Sequence, residues 1–245
     1  MKKERIEKII SVLFALLVWQ IACMAVGNEL LLASPLNVVR TLFGIIKEPD
    51  FWKTTAGSSL RIIEGFLAAF AAGLILGAAA SRYSAVRVLL KPFMVTIRSV
   101  PVASFIILSL IWMNSRQLAS FVCFAACLPL VCSNVLEGLT NVDISQKEAA
   151  QILGAGWLKT VRSIMIPNIG PYLLSAASTG CGTAFKAGVA AEVVAVVSGS
   201  IGEQIYMSKI YFETARLFAW TLVIVLLSFA FEKLFCLILK KMLRL

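Results

Sequence analysis

At 245 residues, with 60% hydrophobic and only 15% charged side chains, the chain is too apolar for a soluble domain, which is roughly 45–50% apolar and about 25% charged. A mean hydropathy of +0.90 excludes a disordered chain and points to a multi-spanning membrane protein. The net charge of +10 belongs to loops that set topology rather than to a nucleic-acid surface, and the absence of histidine removes His-based metal sites, Ser-His-Asp triads and His proton relays.

Along the chain, Lys2, Lys3, Arg5 and Lys8 precede an uncharged run at 9–26. The run is too long for a signal-peptide core and lacks a small-x-small cleavage signal after it, so an uncleaved first span is expected. Further apolar runs predict spans at about 60–81, 92–112 (reaching back past Arg98), 117–136, 172–197 and 214–239. Each is near the roughly 20 residues a crossing needs. The runs are continuous rather than alternating, so helices are favoured over a barrel. The expected fold class is therefore all-α, a single polytopic domain over 1–245 with about six transmembrane helices.

The stretch 163–202 holds 40 residues and two charges. As one straight helix it would be about 60 Å long, twice a bilayer core of about 30 Å. Pro167 and Pro171 are expected to end one helix and start another. Gly199 and Gly202 punctuate the far end, leaving 201–211 as a short surface or re-entrant piece. Cys23, Cys123, Cys127, Cys132, Cys181 and Cys236 all lie in or beside apolar runs and read as small buried hydrophobes, without a disulfide framework.

With the N-terminus inside, 14 of the 23 Lys and Arg residues fall in cytoplasmic segments and 5 outside. This bias supports both termini in the cytoplasm. The longest cytoplasmic connection is 137–167. Ser145 with Glu148 three residues later has the form of a capping box, and Gly154 would end a short helix that shows Ala149 and Ala150 on its surface. Two short helices joined at a glycine form a knob suited to a partner's groove; an ordinary amphipathic loop on the membrane surface is the alternative.

The residues Glu148-Ala149-Ala150, three more, Gly154, nine more, Ile164, one more, Ile166-Pro167 resemble the signature of inner-membrane permease subunits of ABC importers, which usually carry Leu where this chain has Ile166. Leu31-Leu-Ala-Ser-Pro35, Ser59-Leu-Arg-Ile-Ile-Glu-Gly-Phe66, Arg98-Ser-Val-Pro101, Lys186-Ala-Gly-Val-Ala-Ala-Glu192 and Leu217-Phe-Ala-Trp220 are similar to stretches of the nitrate/sulfonate/taurine-type permeases. Trp112-Met-Asn-Ser115 departs from that family's usual Trp-Phe-Gly. The resemblance implies a type I ABC importer permease fold, with 143–167 as the coupling segment that docks on a cytoplasmic ABC ATPase. It also implies a second permease copy or relative, an extracytoplasmic solute-binding protein, and residence in the bacterial cytoplasmic membrane. The solute class it suggests is a small organic anion such as a sulfonate or taurine, or nitrate. ATP and Mg²⁺ would be bound by the partner ATPase, because this chain has no G-x-x-x-x-G-K-[ST] loop and is not expected to be an enzyme.

Charges inside spans need protein or water around them. Lys186, near the middle of the fifth expected span, either lines the pathway and attracts an anion or pairs structurally with Glu64, Glu192 or backbone carbonyls. Lys186 and Glu192 are six residues apart, about 240° around a helix, and do not pair within one straight helix. Arg98 and Glu192 are the other pathway candidates. Two further classes remain: a stand-alone carrier or channel, which would need neither the 143–167 segment nor a partner, and a membrane-embedded enzyme, which would need a cluster of acidic, His or Cys residues that the scattered acids do not supply.

Overall fold

The computed structural model describes residues 2–142, 156 and 164–243, and the regular structure among them is entirely helical. The helices are α1 (Lys2–Val26), α2 (Pro35–Ile45), α3 (Phe51–Arg82), α4 (Ser84–Ser99), α5 (Val102–Ser109), α6 (Ser115–Thr140), α7 (Ile166–Ala195), α8 (Ile201–Ile210) and α9 (Thr214–Leu243). Without water in a bilayer, a helix satisfies its own backbone, so long apolar runs fold this way. Helices α3, α6 and α9 are each long and apolar enough to cross a membrane.

The core is a face-to-face stack of α3, α6 and α7. Between apolar helices surrounded by lipid, close backbone approach replaces the hydrophobic drive, and small residues permit it. A Cβ added at Gly73 or Gly77 of α3 would stand 2.7 Å from the Cβ of Val131 or Val135 of α6. Gly65 likewise abuts Ser120, so α3 and α6 run in the same direction. Helix α7 runs the other way: the thiols of Cys123 and Cys127 donate to the carbonyls of Ala184 (3.1 Å) and Gly180 (3.5 Å). The cysteines of α6 thus act as compact packing residues with weak S–H donors. Helix α9 parallels α3, with Trp220 stacked on Phe51 (5.4 Å) and Phe235 edge-on to Phe66 and Phe70 (each 5.1 Å).

Two parallel helices need the chain carried back between them, and α4–α5 does this. The expected straight span at 92–112 is instead two helices meeting at 100°. Pro101 disfavours the helical region for the residue before it, and Val100 is extended (φ −72°, ψ 127°). Successive anchors trace the return: Arg87 Nε donates to the Ala80 carbonyl (3.1 Å), Arg98 Nη2 to that of Pro129 (2.7 Å), and Phe105 stacks on Phe121 (5.6 Å).

Two further details differ from the expectation. Pro167 and Pro171 both lie inside the start of α7, whose 30 residues begin at Ile166 rather than near 172. Pro167 falls where the first-turn N–H groups have no partner to lose. The helix ends at Val196, held left-handed (φ 47°, ψ 55°). The region 35–45, which has no predicted span, is the short helix α2, capped by the Ser34 hydroxyl accepting from Asn37 N (3.3 Å), with Pro35 in its first turn. Helices α2 and α8 pack with Phe51, Ala219 and Trp220 into a second small core at one end of the stack.

Candidate functional site

Helix α7 is the central element, and its burial is one-sided. Ile169, Leu173, Ala176, Ala177, Ala184 and Phe185 are buried against α3, α6 and α9. The opposite side is open: Ser175, Thr179 and Lys186 are exposed, with Gly182, Thr183 and Ala190 half-buried between and beyond them. Steps of three and four residues put these on one face. The face is polar and small, with Lys186 level with the first third of α6, beyond the contact of Ala184 with Cys123. Among the described residues Lys186 makes no hydrogen bond or ion pair, including none with Glu64 or Glu192. An ammonium among acyl chains costs about 2.5–3.5 kcal/mol, so this face is built for water or another protein surface.

Glu192 has a different place. It is fully buried, and both carboxylate oxygens are engaged. Arg61 donates to Oε1 through Nη2 (2.7 Å) and Nε (3.0 Å), and the Ser58 hydroxyl donates to Oε2 (2.7 Å). Gly202 N also approaches Oε2 (3.3 Å), while Ile201 N donates to Ser58 Oγ (2.9 Å). A Cβ on Gly202 would collide with Glu192. One buried carboxylate therefore pins α3, α7 and the start of α8 together. A buried ion pair is favourable only when its remaining lone pairs are satisfied in this way. Glu192, a pathway candidate by sequence, faces protein and not open space.

Arg98 braces the bend. Besides the Pro129 carbonyl, its Nη2 donates to Ser133 Oγ (2.6 Å), tying the end of α4 to α6.

Glu148, Ala149, Ala150 and Gly154 lie outside the described residues. The segment that holds them joins the end of α6 to the start of α7, where Ile164 is half-buried and Ile166 and Pro167 are exposed. Because α7 is antiparallel to α6, that junction and the α2–α8 core lie at opposite ends of the stack. The two ends differ in charge. Arg82, Arg87, Lys91, Lys240 and Lys241 gather at the 143–163 end. At the α2–α8 end the charges are mixed: Glu48, Glu203 and Glu213 stand among Arg40, Lys47, Lys53 and Lys209, with Arg216 bridged to Glu48 (2.7 Å).

The residues that sequence reasoning missed are Arg61 and Ser58, the partners of Glu192. Arg61 stands inside a stretch quoted for its family likeness, but nothing local marks a pairing across 131 residues. The open face of α7 did leave a signal, the four-residue spacing of Ser175 and Thr179 within an uncharged run.

Residues 69–244 match the family described as the binding-protein-dependent transport system inner membrane component. The chain belongs to that permease family. The permease is 27% identical to the taurine transport system permease protein of Escherichia coli over 220 residues, covering 87% of this chain and 80% of the relative. It is 25% identical over 205 residues to a putative aliphatic sulfonates transport permease protein of Bacillus subtilis (82% and 74% covered). It is 26% identical over 196 residues to the nitrate import permease protein of Leptolyngbya laminosa (76% and 68% covered). The permease is thus an inner-membrane component of an ABC importer, a subunit class in which ATP hydrolysis belongs to a separate protein.

Proposed function

We propose that this permease, paired with a second copy or a related chain, encloses the path by which a small anion is imported, driven by ATP hydrolysis on a separate pair of cytoplasmic ABC ATPase subunits. The single observation that carries this reading is the open face of α7: small, polar and centred on an unpaired Lys186. Two such faces across a subunit interface form a narrow hydrated passage with a cationic ring nearer its α2–α8 end, which favours anions such as sulfonates, taurine or nitrate. The relatives named above are what support that solute class.

The segment 143–167, with Glu148, Ala149, Ala150, Gly154, Ile164, Ile166 and Pro167, is the docking site for the ATPase. ATP and Mg²⁺ bind on that partner. Helix α7 leaves this segment directly and runs without a break to the Glu192–Arg61–Ser58 clamp at its far end. A push at Pro167 is therefore transmitted along a stiff rod that is held at α3 and α8, and the face bearing Lys186 tilts relative to its counterpart. The cationic 143–163 end fits the cytoplasm, which supports the reading that both termini lie there. The α2–α8 end then meets the extracytoplasmic binding protein.

The test is uptake of radiolabelled taurine and nitrate by the reconstituted permease with its ATPase and binding protein. Gly154→Trp is expected to abolish uptake and solute-stimulated ATP hydrolysis while the chain still inserts. Lys186→Met is expected to lower anion uptake at least tenfold while the ATPase still co-purifies. Full uptake in Gly154→Trp, or uptake driven by an ion gradient without the ATPase, would return the chain to the stand-alone carrier class.

A further inference from the structure

A groove of about 360 Å³ opens between α4, the end of α3 and α6, away from the face of α7. Its floor is Pro129, Cys132 and Leu136 of α6, and Leu90 and Met94 of α4 form the facing wall. The volume is within the range of ligand sites, about 300–1,000 Å³, but the lining is apolar except along one edge. That edge is Arg87, Lys91 and Arg98, spaced four and seven residues apart on one face of α4. Among the described residues no carboxylate lines the groove, and none of the three cations has an ion pair. Among the described residues Arg98 is committed to the Pro129 carbonyl and Ser133, Arg87 spends only Nε, on the Ala80 carbonyl, and Lys91 makes no hydrogen bond.

The groove's mouth lies beside the turn between α3 and α4. There the Arg82 guanidinium sits over the exposed Tyr83 ring (5.9 Å). A cation and an amphipathic aromatic at a helix end mark headgroup depth. From that level the groove leads inward toward Arg98. The outward side of α4 is also apolar and open, with Val88, Leu89 and Phe93 exposed. An occupant must therefore present an anion at the interface and a long apolar tail below it. A small hydrated anion lacks the tail.

We infer that this groove binds an anionic phospholipid of the leaflet at the 143–163 end, with its phosphate at Arg87 and Lys91 and an acyl chain against Met94 and Leu136. Basic pockets between transmembrane helices recognise anionic headgroups in this manner. The lipid fills the angle behind the α4–α5 bend and holds α4, which has no buried residue of its own, against α6.

The experiment uses the permease–ATPase complex in proteoliposomes carrying phosphatidylglycerol or phosphatidylcholine with a diazirine on one acyl chain. Adducts are mapped by mass spectrometry. Native protein is expected to give at least fivefold more labelling of Leu90, Met94 and Leu136 with the phosphatidylglycerol probe. Lys91→Glu with Arg87→Gln is expected to reduce that preference to parity, and Arg87→Lys to retain it. Lys91→Gln alone, at a side chain without a partner among the described residues, serves if the double variant fails to assemble. Equal labelling by the two probes, or a preference unchanged in the charge variants, overturns the proposal. So does a chain-to-chain adduct from Met94→p-benzoylphenylalanine without lipid labelling, which would seat a second copy in the groove.

Discussion

Helices α7 and α9 are both 30 residues long and cross the same stack, yet they are opposites in composition. Helix α9 exposes Leu226, Phe229, Leu234 and Leu237 and buries few residues. Helix α7 is rich in Ala, Gly, Ser and Thr, buries one side along its length, and is not among the helices apolar enough to be recognised as a span by hydropathy. Lipid contact demands apolarity, as on α9, but burial does not exclude it: α6 is both apolar and largely buried. A helix shielded by its neighbours is released from that demand, and its small residues let the neighbours close in. The released side is where a polar face and a lysine are tolerated.

This contrast breaks most sharply at the clamp. Arg61→Met leaves Glu192 buried without its ion pair. Removing one partner of a buried pair costs about 3–5 kcal/mol, so a large fall in Tm of the detergent-solubilised permease is expected. The Arg61→Met, Glu192→Met double variant should recover part of that loss in a double-mutant cycle. Next comes packing. Gly188→Val on α7 puts a side chain where a Cβ alone would stand 2.6 Å from Cys123 Sγ and Ile62 Cγ1, and overpacking of this kind costs about 1–3 kcal/mol. A lower Tm with uptake lost in proportion is expected; an unchanged Tm would mean that the α3–α6–α7 seam is loose. Lys186→Met should leave stability within about 0.5 kcal/mol of the parent, as for an exposed residue without partners among the described residues, while Lys186→Arg preserves uptake. The smallest effect is on α9: Leu226→Ala or Phe229→Leu should change neither Tm nor uptake measurably, since lipid replaces what is removed. A stability loss above about 1 kcal/mol there would show that α9's outer side meets protein.

The long uncharged runs were readable whether or not they face lipid, since α6 is largely buried. The uncharged runs at 65–81, 117–136 and 217–231 lie inside α3, α6 and α9. The bend after Arg98 was half legible: Pro101 marks a break, but the 100° angle comes from anchors on α3, α6 and Phe121, which sequence spacing does not specify. Helix α2 was missed because 11 residues carry too little apolar length to stand out, although Ser34 and Pro35 are a start signal. Lys186 was legible as a charge needing water or protein, but its facing was not, because that depends on which side α6 covers. Glu192 was misread as a pathway candidate for the same reason: its partner lies 131 residues away. Local rules describe turns and faces, whereas buried pairings are long-range.

The parallel pairing of α3 with α6 also has a meaning in time. Gly73 and Gly77 meet Val131 and Val135, so the principal partner of α3 is synthesised only after α4 and α5. At about 5–20 residues per second, the 58 residues from Arg82 to Thr140 take roughly 3–12 s to emerge. Throughout that interval the glycine-lined side of α3 faces lipid or the insertion machinery. The nascent chain therefore passes through a stage at which its most intimate seam is unmade, and a substitution that gives α3 an alternative partner during those seconds would harm biogenesis without altering the finished protein.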